Sequence, residues 1–133
     1  MVRWSKGNWA ALSLALLTVA ACQAEGFDMK WRVTRIEGVE LNGIVPTLSL
    51  DGDKVTGFAG CNRLTGNADL QGSKVRFSGL ATTRMACKGP AMAVERALLQ
   101  ALETRAVSVE LGENSAKLLD AEGKAVVDLA RAD

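Results

Sequence analysis

Short runs of apolar and β-branched residues, separated by brief turn-forming stretches, constrain this chain more than any other feature. Residues 31–36 (Trp-Arg-Val-Thr-Arg-Ile) combine aromatic and β-branched side chains and read as a strand. Residues 47–50 and 54–59 flank Asp51-Gly52-Asp53, and strand-like runs around an Asp-Gly turn read as a β-hairpin. Residues 64–70 and 74–77 surround Gln71-Gly72-Ser73 in the same way. Asn42-Gly43 is a further turn signal, and Pro46 holds the residue before it in extended geometry. Three more strand-like runs, 106–111, 116–120 and 124–129, close the chain, with turns at Glu113-Asn114 and Glu122-Gly123. One segment breaks the pattern. After Gly89-Pro90, Val94, Leu98 and Leu102 recur at helical spacing with Ala91 and Ala101 beside them, which predicts a helix over 91–105. Arg96, Gln100 and Glu103 fall on its opposite face, whereas Glu95 sits at the edge of the apolar stripe. A carboxylate buried there is expected to have a cationic partner. Strands, one helix, then strands, joined by short turns, predict an α+β fold: a curved antiparallel meander, partly barrel-like, with one helix packed against it.

The N-terminus is an address rather than a structure. Arg3 and Lys6 precede an apolar run over 9–19 that is too short for a transmembrane helix of about 20 residues. A basic start, a short apolar centre and a small-residue exit have the anatomy of an export signal. Val19-Ala20-Ala21-Cys22 resembles the lipobox of bacterial lipoproteins, with Cys22 as the lipidated first residue of the mature chain. The expected organisation is therefore a lipoprotein signal peptide at 1–21, a lipidated N-terminus and short tether at 22–29, and one domain at 30–133. Acyl chains anchor a protein at about 0.8 kcal/mol per buried methylene, so the first expected partner is a membrane. Gln23, in place of Asp, points to the outer membrane of a bacterial envelope, with the domain facing the periplasm.

Composition removes several function classes. Histidine is absent, which excludes His-based triads and imidazole acid–base chemistry. The formal charge of +1 falls to −1 when Arg3 and Lys6 leave with the signal, so no basic excess is available for nucleic acid. Asp51 and Asp53 hint at a calcium loop, but Val55 stands where that loop needs an oxygen ligand. Asp51, Asp53 and Asp69 show no pairing suited to hydrolysis, so the chain reads as a non-enzyme without metal or cofactor. Of the three cysteines, Cys22 is assigned to lipid. Cys61 and Cys87 remain, and in an oxidising compartment two leftover thiols most simply form a disulfide. Neither a Cys-x-x-Cys motif nor a set of metal ligands accompanies them.

Two blocks carry a family resemblance. Residues 57–66 (Gly-Phe-Ala-Gly-Cys-Asn-Arg-Leu-Thr-Gly) and 79–87 (Gly-Leu-Ala-Thr-Thr-Arg-Met-Ala-Cys) resemble the paired signatures of the META domain family, and within it the HslJ-like heat-shock lipoproteins. The likeness extends from about Trp31 to Leu129. It implies a compact α+β domain with no established reaction; the chain is separately expected to be a monomer. The likeness also implies a role in envelope integrity or in heat and novobiocin-type stress tolerance, through contact with an envelope protein or a lipid. The alternative it implies is a pilotin-like module or periplasmic carrier of a small hydrophobic ligand. In physical terms Gly57 and Gly60 suit a bulge or a close backbone approach, and Asn62 suits a turn. Arg63 and Arg84 each flank a cysteine block. They are either solvated, or paired singly with Glu95, or part of a small cationic surface. Asn62, Arg63, Thr83 and Arg84 form the candidate interaction surface.

Overall fold

Residues 26–132 are described by a computed structural model of the chain. The strand-like runs become β1 (Lys30–Ile36), β2 (Thr47–Asp51), β3 (Lys54–Phe58), β4 (Arg63–Gln71) and β5 (Lys74–Thr82), followed by β6 (Ser108–Leu111), β7 (Ser115–Leu119) and β8 (Ala125–Arg131). Between β5 and β6 lies α1 (Pro90–Gln100), continued by a π-helical turn, Ala101–Arg105. The helix expected over 91–105 is thus α-helical only to Gln100. The Ala106 amide then donates to the Ala101 carbonyl at 2.8 Å, and this wider turn leads the chain out toward β6.

The sheet corrects the expected architecture. It is a closed antiparallel barrel in the order β1 to β8, and not a partly barrel-like meander. Closure comes from β1 pairing with β8, from Trp31↔Arg131 to Ile36↔Val127, across a bulge between Val33 and Arg35. That contact joins the two ends of the domain, so no local turn signal announces it. It is favoured because both terminal strands gain a ladder partner and neither leaves an edge unpaired. The helix does not lie on the outer face of an open sheet. Val94, Leu98 and Leu102 enter the same core as Trp31, Leu48, Leu64 and Leu118, which fill the barrel interior. An eight-stranded barrel is narrow enough for side chains alone to fill it.

Antiparallel register sorts the connections onto two ends. The chain's approach at 26–29, the β2–β3 and β4–β5 turns and the β6–β7 turn share one end, which we call the lower. Residues 37–46, 59–62, 83–89 and 120–124 share the other, upper end. The lower end is stoppered by Phe27, fully buried, whose carbonyl accepts from Trp31 Nε1 at 3.0 Å. Asp28 Oδ1 accepts from the Gly52 amide at 3.0 Å and fastens the approach to the β2–β3 turn. The upper end is closed by α1.

Candidate functional site

At the upper end the two signature blocks meet under the helix. Glycine is required in the first of them for two reasons. Gly60 has φ +124, and a Cβ there would lie 3.1 Å from the Ala91 carbonyl and 3.2 Å from the Glu95 amide nitrogen. At Gly57 a Cβ would overlap the Thr47 carbonyl oxygen of the neighbouring strand. The loop at 59–62 therefore presses directly against α1, and this brings Asn62 to Glu95.

Asn62 and Glu95 are the buried polar residues among those described, 2 % and 4 % exposed. The Asn62 backbone N–H donates to Glu95 Oε1 at 2.7 Å, and Asn62 Nδ2 donates to Glu95 Oε2 at 3.0 Å. The same Nδ2 donates to the Met85 carbonyl at 3.2 Å. Asn62 Oδ1 accepts from the Met85 amide at 2.7 Å and from Thr83 Oγ1 at 3.0 Å. Two donors and two acceptor positions are the whole capacity of an asparagine side chain, and all four are used. Thr83 extends the network, because its Oγ1 also accepts from the Arg63 amide at 3.1 Å. A disulfide between Cys61 and Cys87, with Cα atoms 6.0 Å apart, ties the same two blocks covalently.

The partner that Glu95 requires is thus an amide and not a guanidinium. Asparagine suits this position because it donates to the carboxylate and also accepts from the strap at 83–85, which an arginine cannot do. Arg63 and Arg84 are exposed, and among the described residues neither side chain makes an ion pair. Of the sequence candidates, the structure buries Asn62, sets the exposed Thr83 at the edge of its network through a hydroxyl hydrogen bond, and leaves Arg63 and Arg84 on the surface around it. Sequence reasoning passed over Met85, whose backbone is held by Asn62 while its side chain is 61 % exposed. The lipidation expected at Cys22, and the leader before it, lie outside the described residues.

Beside the network runs a cleft of about 570 Å³, between residues 80–86 on one side and Met92 and Glu95 of α1 on the other. Arg84 and Met85 stand on its wall, and Asn62 and Glu95 lie in its lining. A second polar cluster sits elsewhere on the upper end. Glu37 Oε1 pairs with Lys124 at 2.7 Å and Glu37 Oε2 with Arg105 at 2.6 Å. The hydrogen bonds from Lys124 and then Arg105 hold the Glu37 carboxyl below its ordinary pKa. Asp120 Oδ1 accepts from the amides of Glu122 and Lys124 at 3.0 and 2.9 Å, fixing the β7–β8 turn.

The META domain family matches residues 12–133 of this chain. Among solved structures, the chain is similar to a protein from Burkholderia xenovorans determined by NMR. That match has 27 % identity and a TM-score of 0.64, and covers 84 % of this chain and 87 % of the other. A second NMR structure matches at 24 % identity with a TM-score of 0.64, covering 84 % of this chain and 95 % of the other, and supports the fold. No curated protein matches the chain.

Proposed function

From the premise that the chain belongs to the META domain family, we propose that it is a non-enzymatic, HslJ-like envelope lipoprotein that acts through contacts at its upper end. The role we assign is support of envelope integrity under heat or novobiocin-type stress. One observation carries the reading: the Asn62–Glu95 pair is consumed internally. Its carboxylate accepts two hydrogen bonds from Asn62, and every polar group of the Asn62 side chain is engaged. That pair is therefore a latch, and the groups the signature blocks offer to solvent include Arg63, Arg84 and Met85, which suit recognition. The filled barrel interior favours surface contact over carriage of a ligand inside the domain.

The two ends give this reading a direction. With a lipid on Cys22, four residue-to-residue steps separate the anchor from Gly26, a reach of about 14 Å at roughly 3.5 Å per extended residue. The lower end then rests near the membrane, and the cleft faces away from it. The test is complementation of a deletion strain under heat and novobiocin. Wild type is expected to restore growth, and Cys22→Ser and the R63A/R84A double variant to fail, with the double variant folded and exported normally. Full complementation by R63A/R84A would overturn the reading.

A further inference from the structure

The barrel closes unevenly. β4 pairs with β5 from Gln71↔Lys74 to Leu64↔Thr82, whereas β6 meets β5 at a single register position, Lys74↔Ser108. The Val75 amide still donates to the Val107 carbonyl at 3.1 Å, and above it no strand among the described residues is in register with β5 on its other side. The ladder slips between Thr65 and Asn67, opposite Gly79 at φ +60, and beyond this bulge β5 runs along the cleft. Its hydrogen-bonding direction there follows from one contact. The Thr83 amide donates to the Arg63 carbonyl at 3.1 Å, so it points toward β4. Successive strand residues alternate, so the amides and carbonyls of Leu80 and Thr82, both of which line the cleft, point away from β4. A short row of backbone donors and acceptors thus borders the cleft.

The chemistry around this edge is one-sided. Between Leu80 and Gln100 the sole carboxylate is Glu95, which is buried and satisfied by Asn62. Arg84, Lys88 and Arg96 in that stretch are exposed, as is Arg63 on the neighbouring strand. Among the described residues none of the four forms an ion pair. Met85 and Met92 flank the same cleft with unbranched side chains that adapt to varied apolar partners.

Resting on the reading of this end as a contact surface, we infer that the cleft takes an extended acidic segment of a partner polypeptide, added as a strand to the upper edge of β5. Backbone pairing with Leu80 and Thr82 supplies the direction of the segment. The surrounding arginines and Lys88 select carboxylate side chains, and Met85 with Met92 receives alternating apolar ones. A lipid headgroup is the weaker fit, because it cannot use in-line donors and acceptors spaced as in a strand.

The test titrates the ¹⁵N-labelled protein with an eight-residue peptide of alternating Glu and Val, capped at both ends. Three controls accompany it: the Lys–Val counterpart, an N-methylated Glu–Val peptide, and phosphatidylglycerol vesicles. The expected result is saturable shifts centred on the Leu80 and Thr82 amides and slowed hydrogen exchange there. Binding should weaken at least tenfold for the N-methylated or Lys–Val peptide, and for R63A/R84A. No response at these amides, a response that survives N-methylation, or a response to vesicles alone would overturn strand addition. If the peptide fails while R63A/R84A still abolishes stress tolerance, this inference falls and the contact-surface reading stands. If R63A/R84A complements fully, the contact-surface reading falls as well.

Discussion

The two ends of the barrel are closed by opposite kinds of chemistry. At the lower end Phe27 and Trp31 pack as a tilted pair with ring centroids 5.7 Å apart, and the Trp31 indole N–H finds a backbone carbonyl. This is closure by apolar area, tolerant of sequence as long as volume is kept. At the upper end Glu95 and Asn62 are buried instead, with a disulfide beside them. Closure by a polar network is intolerant, because each group left unpaired carries its full desolvation penalty. The contrast explains why the recognisable sequence blocks gather at the upper end. A volume can be filled in many ways, whereas four hydrogen bonds to one asparagine can be met in few.

The largest expected effect breaks the lower end. Trp31→Ala removes a buried aromatic side chain and should destabilise the domain by about 3–5 kcal/mol in chemical denaturation. The upper cleft should survive in the fraction that stays folded, with Met85 and Asn62 amides still slow to exchange. Next comes the covalent tie. Replacing Cys61 and Cys87 by serine opens a loop with a sequence separation of 26 and should cost about 3.5 kcal/mol in the chain-entropy description. Asn62→Ala follows at about 2–3 kcal/mol, because it leaves the Glu95 carboxylate and the Met85 amide short of partners. Its mark should be regional: hydrogen exchange quickens over α1 and residues 83–89 and stays slow at Trp31 and Leu48. Uniform loosening of both ends would show that they are not separate closures.

The smallest effect belongs to Glu37. Its carboxyl is held low by Lys124 and Arg105, so folding gains stability from it above the ordinary carboxylate range. That gain disappears as pH falls through the lowered value. Thermal melts of wild type and Glu37→Gln should therefore differ most near neutrality and converge at acid pH. A gap that widens on acidification would contradict the assignment.

Much of this architecture was legible in local chemistry. Asp51-Gly52-Asp53 and Gln71-Gly72-Ser73 turn the chain where their residue types predict, and Pro90 opens the helix. Barrel closure was not legible, because Ile36↔Val127 is a pairing between distant segments that leaves no mark on either. The helix runs to Arg105 as expected, but the π-form of its final turn was not legible for a related reason. Leu102 keeps the apolar spacing through residues 101–105, and periodicity alone does not distinguish an α-turn from a π-turn. The site was half legible. The position of Glu95 at the rim of an apolar stripe announced a buried carboxylate that needed a partner. Charge suggested an arginine, but the geometry required a group that both donates and accepts, which only the folded approach of 59–62 to α1 reveals. Met85 gave no signal, since the network uses its backbone.

The central claim is that Asn62 and Glu95 act as one latch holding the helix over the upper end. A double-mutant cycle of Asn62→Ala and Glu95→Ala, measured by chemical denaturation with the disulfide intact, tests it most directly. Residues joined in one buried network couple by about 0.5–3 kcal/mol. The latch predicts a coupling of at least about 1 kcal/mol, with the double variant little worse than either single one. Effects that add to within about 0.5 kcal/mol would contradict it.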